Sequence, residues 1–102
     1  MSNHYAVIVS RGPAFDPAKG SREQDGYEPH AAHWRQLEES GFVAMAGLMH
    51  DSMEVLFIIR ADSEEEIREK ISGDAWQKAG QARITRITPI EIRFNPPPPF
   101  EG

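Results

Sequence analysis

Phe42-Val43-Ala44-Met45-Ala46-Gly47-Leu48-Met49, then His50-Asp51-Ser52, then Val55-Leu56-Phe57-Ile58-Ile59 is the stretch that decides the fold. Two apolar runs of strand length flank a short polar turn, which is the pattern of a β-hairpin. Upstream, Tyr5 to Val9 is another short apolar run, rich in β-branched residues and stopped by Ser10-Arg11-Gly12-Pro13; it reads as a buried first strand. Between that strand and the hairpin, Tyr27, His30, Trp34 and Leu37 recur at helical spacing and define a core-facing stripe. Glu28, Arg35 and Glu39 fall on the opposite side. This helix opens between Asp25 and Pro29, where a proline costs no hydrogen bond, and Gly41 supplies its left-handed cap. The segment from Gly12 to Gly26 has no periodicity, and a loop of that length in a small domain often serves as a functional lid.

Downstream of the hairpin, Ser63-x-x-Glu66 is a capping box that starts a second helix. Ile67 and Ile71 form its dry side, Glu64→Arg68 and Glu66→Lys70 pair on its wet side, and Gly73 closes it. Asp74 caps a further turn, Ala75 to Ala79, ended by Gly80. Arg83 to Phe94 reads as a last strand, with Ile90, Ile92 and Phe94 alternating against Glu91 and Arg93. Pro89 implies a bulge or an edge there. The order is β-α-β-β-α-β: an α+β, ferredoxin-like domain over residues 1–94, with an antiparallel four-stranded sheet and both helices on one face. Residues 95–102 form a proline-rich tail expected to be extended polyproline.

The first strand and Val55 to Ile59 are apolar at odd and even positions alike. Alternation is expected where one sheet face meets water, and unbroken runs where both faces are covered. The chain has no third layer of its own, so a homodimer through the sheet faces is the economical arrangement.

With 102 residues the chain is one domain by length. Its 16 acidic against 11 basic residues give a net charge of −5, which opposes nucleic-acid binding. The absence of cysteine excludes disulfides and thiolate metal sites. No apolar run approaches the ~18–20 residues of a membrane span. The opening Met1-Ser2-Asn3-His4 has no basic or apolar leader character, so a cytoplasmic location is expected. His33 with His30, and His50 or Asp51 from the hairpin, makes no recognisable ligand set, so neither metal nor cofactor is expected.

His30 shares its stripe with Trp34 and Leu37, so its imidazole points inward and needs partners there. A backbone carbonyl would make it a structural histidine; a carboxylate would make it an oriented base. Asp74 carries two readings as well: a helix cap, or the acid that orients an imidazole. Arg11 leaves the first strand where the long loop begins, either solvated or holding a substrate anion. Trp76 sits beside Asp74, as a core anchor or a pocket wall.

Pro29-His30 with Leu37, Gly41 and Gly47, followed by Asp74-Ala75-Trp76 and Gly80, resembles the YCII-related family in order and spacing. Arg22-Glu23-Gln24-Asp25-Gly26 with Tyr27 resembles one branch of it. Ala75 and Leu48 depart from the family, which usually has proline at the matching positions. The resemblance implies a dimeric α+β barrel with a cleft between helix and sheet, in which His30 and Asp74 form a catalytic dyad. Arg11, Trp76 and Tyr27 are assigned to substrate binding. It also implies lyase or isomerase chemistry on a small aromatic or enol-forming acid; a dehydrochlorinase acting on chlorinated hydroxyquinols is among the activities of that family. The competing expectation is a non-catalytic dimeric ligand-binding or accessory module with His30 and Asp74 as a structural pair. A cofactor-free oxygenase on the same barrel is a third.

Overall fold

The computed structural model describes residues 3–94; the tail expectation lies outside the described residues. Strand β1 is His4–Arg11 and helix α1 is Tyr27–Glu39. The hairpin strands β2 and β3 are Val43–Met49 and Glu54–Arg60. Helices α2 and α3 are Glu64–Ile71 and Ala75–Ala79, and the last strand, β4, is Ala82–Ile90. The sheet is antiparallel throughout, in the order β2-β3-β1-β4, which is compatible with the ferredoxin-like arrangement.

Side-chain parity places the core. Val7 and Val9 of β1 and Phe57 and Ile59 of β3 are buried and share one sheet face. They form one cluster with Leu37 of α1, Ile67 and Ile71 of α2, and Trp76 of α3, so the helices cover that face. On the opposite face Ala6, Ile8, Leu56 and Ile58 are only half-buried, and Met45 stands 66% exposed beside them.

Local chemistry ends the helices where the sequence indicates. Gly41, at φ +84°, lets its own N–H return to Glu38 O and the Phe42 N–H to Leu37 O, satisfying the last carbonyls of α1. Gly80, at φ +82°, ends α3, and Gln81 N–H then donates to Trp76 O at 2.9 Å. Gly12 is required for a different reason: a Cβ there would lie 2.2 Å from Gly80 O, where the loop after β1 presses on the end of α3.

The last strand corrects the sequence expectation. It stops at Ile90, and Ile92 and Phe94 lie beyond it although the alternation continues. The cause is non-local: its partner β1 begins at His4, directly opposite Ile90. Pro89 sits on an edge strand paired with β1 alone, as its missing N–H requires. The bulge is further back, where the register passes from Ile8↔Arg86 to Val9↔Ile84 and leaves Thr85 over.

Candidate functional site

Just before α1 one backbone carbonyl ties the chain both to α3 and to Gln81 beyond it. Asp25 O accepts from Trp76 Nε1 at 3.2 Å and from Gln81 Nε2 at 2.9 Å. Gly26, at φ +75°, then turns the chain into α1, whose first bond runs from His30 N to Gly26 O. This fixes His30 directly above Trp76: the rings stack with centroids 3.7 Å apart and planes within 9°. Tyr27 leans on both rings, at 6.2 and 6.3 Å, and is not among the residues that line the cavity described below.

His30 Nδ1 lies 2.7 Å from Asp74 Oδ1, so its bond goes to a carboxylate and not to a backbone carbonyl. Asp74 is fully buried. It caps α3 by accepting from Trp76 N at 3.2 Å, and it also accepts from the Trp34 indole N–H at 3.1 Å. Cap and orienting acid are therefore the same side chain. With Nδ1–H donated to the carboxylate, a neutral imidazole presents the lone pair of Nε2, which has no partner among the described residues. That is the tautomer of a base held ready by an acid. His33 is used elsewhere: its Nε2–H donates to Lys70 O at 2.7 Å, at the end of α2. Among the described residues no group of His, Asp or Glu side chains is placed to hold a metal ion.

His30 and Asp74 line a cavity of about 460 Å³ between α1 and the sheet. Its floor is apolar, formed by Val9, Val55 and Phe57 with Trp34 above them. Toward β2 the wall falls away, leaving Leu48 46% exposed at the mouth. Arg11 lines the cavity with its guanidinium 4.2 Å over the Phe15 ring. Phe15, buried, meets Trp76 edge-on at 5.8 Å.

The Gly12–Gly26 loop, expected as a lid, lies against the cavity and is knotted on itself. Buried Gln24 accepts from Asp16 N–H and donates to the carbonyls of Asp16 and Lys19.

Sequence patterning missed four contributors. Arg35, read as solvated, lines the cavity together with Glu38. The cavity-facing arc of α1 is His30, Ala31, Trp34, Arg35 and Glu38, rotated from the core stripe because the sheet side of the cleft is open. Phe15 and Gln81 also line it and carried no local signal. Arg11 and Arg35 have no carboxylate partner among the described residues.

Comparison with family models, curated proteins and solved structures returned no match for this chain. Among the described residues no helix is long and apolar enough to cross a membrane.

Proposed function

We propose that this chain is a cofactor-free enzyme of the YCII-related type that moves protons on a small aromatic or enol-forming acid, as a lyase or isomerase. The observation that carries the proposal is the 2.7 Å contact between His30 Nδ1 and the buried Asp74 carboxylate at the wall of an otherwise largely apolar cavity. An imidazole so held has a fixed tautomer and a partner for its cationic form, which is what a general base needs.

In this mechanism Nε2 takes a proton from an acidic C–H or O–H of the bound substrate. The electron pair released forms a new C=C or C=O bond. In the lyase direction an anionic leaving group such as chloride departs; in the isomerase direction the imidazolium returns the proton to another carbon. Asp74 stabilises the imidazolium and does not itself change protonation. Arg11 and Arg35 hold the substrate's anionic group at the mouth, and the Phe15 side of the loop keeps water from the ring. The half-buried apolar strip Ala6, Ile8, Leu56 and Ile58 supports a sheet-to-sheet homodimer, completing an α+β barrel.

The test is a panel of chlorinated hydroxyquinols and enol lactones assayed with wild type, His30→Ala and Asp74→Asn. Turnover is expected to fall by at least about 10³-fold in His30→Ala while the fold and the dimer persist. Unchanged turnover overturns the dyad. Lost melting temperature with unaltered ligand affinity favours the structural pair instead. A wild-type chain that sediments as a monomer rejects the barrel.

A further inference from the structure

We infer that Trp34 is a positioning residue for the His30–Asp74 pair: its indole N–H holds the plane of the Asp74 carboxylate so that one oxygen faces the imidazole, and it moderates the carboxylate's hold on the His30 proton. The inference deepens the proposed function and takes its catalytic meaning from it, but its test needs no substrate.

Asp74 divides its two oxygens between different donors. Oδ1 receives His30 Nδ1 at 2.7 Å and Trp76 N at 3.2 Å, while Oδ2 receives Trp34 Nε1 at 3.1 Å. Trp34 follows His30 by four residues, so both donors hang from one side of α1, one turn apart. The indole is itself held by a parallel stack on buried Phe57, with centroids 4.3 Å apart and planes within 12°. Twisting the carboxylate plane about its Cβ–Cγ bond away from this setting breaks the indole bond, so the plane is held toward His30 from the sheet side. Each donor to a carboxylate lowers its proton affinity. Without the indole N–H, the buried negative charge bears more strongly on the imidazole, and the ring holds its proton to higher pH. A tryptophan that only fills space would have no such effect.

The test is an NMR titration of the His30 ring in the full chain, for wild type, Trp34→Phe and Phe57→Leu. Trp34→Phe keeps a ring on Phe57 and removes the donor; Phe57→Leu removes the stack and keeps the donor. The charged and titratable groups around His30 stay the same in all three: Asp74 before α3, Arg11 from β1, and Tyr27, Arg35 and Glu38 from α1. Trp34→Phe is expected to raise the His30 midpoint, and Phe57→Leu, which loosens the indole but keeps its N–H, to raise it by less. An unmoved midpoint in Trp34→Phe overturns the inference, and so does an equal shift in both variants. Should Trp34→Phe fail to fold, the wild-type Trp34 indole N–H resonance decides: it must shift with the His30 midpoint, and a resonance indifferent to that titration overturns the role. Failure of this test leaves the proposed turnover open to its own assay, and the converse holds.

Discussion

Helices α2 and α3 both begin on an acceptor side chain, and they differ in where the donors come from. At α2, Ser63 Oγ accepts from Glu66 N–H at 3.2 Å, and Glu66 reaches back to Asp62 N–H at 2.8 Å; every partner is within four residues. At α3, Asp74 accepts locally from Trp76, but also from His30 and Trp34, which lie 44 and 40 residues away. A cap contributes about 1 kcal/mol. Burying a carboxylate costs several kcal/mol, and α3 is only five residues long. Capping alone therefore cannot account for an acid buried completely at that position. The distant donors do, and they are the ones that build the cavity wall.

The largest expected effect follows from that difference. Asp74→Ala removes an acceptor from three donors and leaves the Trp34 indole N–H and the His30 Nδ1–H inside the protein with nothing to meet them. The expected loss is about 3 kcal/mol or more in urea denaturation, since buried groups that lose their partner carry their full desolvation penalty. A loss near 1 kcal/mol would reduce Asp74 to a cap and erase the contrast with α2.

The same contrast explains what the sequence made legible. The hairpin, the α2 box and the Gly41 cap are decided by residues within a few positions of one another, and each was readable as pattern. Asp74 was readable as a cap and His30 as inward-facing for the same reason. Their meeting was not: no spacing rule joins positions 30 and 74, and only the family resemblance paired them. Arg35 was misassigned because helical periodicity finds the stripe that meets the core. It does not find the arc beside it that meets a cleft, which depends on where β2 and β3 end up. Trp34 looked like a core anchor, and its ring is one; the direction of its N–H is set by Asp74 arriving from the far end of the chain. The end of β4 was misjudged likewise, since Ile92 and Phe94 keep the alternation but β1 offers no residue opposite them.

Ser63→Ala sharpens the comparison from the other side. It removes a hydroxyl that accepts one local N–H, and the freed amide at the start of α2 lies in a part-buried setting where water can replace it in part. The expected loss is about 1 kcal/mol in the same urea measurement, well under that of Asp74→Ala. Equal losses would mean that the long-range donors contribute nothing beyond a cap.

The smallest effect is a pH dependence carried by the second half of the α2 box. The Asp62 N–H donated to Glu66, aided by Lys70 at 3.2 Å, holds the Glu66 carboxyl below its ordinary 4.5, against a smaller opposing effect of burial. A carboxyl whose pKa is lower in the folded chain binds fewer protons there than in the unfolded chain. Its contribution is therefore complete above the ordinary carboxylate range and is lost as pH falls through the depressed folded value. The stability difference between wild type and Glu66→Gln should accordingly favour wild type at pH 7 by only a few tenths of a kcal/mol, as for other exposed pairs. It should shrink on titration below 4.5. A difference that stays constant through that range would show that Glu66 acts by its hydrogen bond alone. The two helix N-termini would then differ only in the distance of their donors, and not in the use they make of charge.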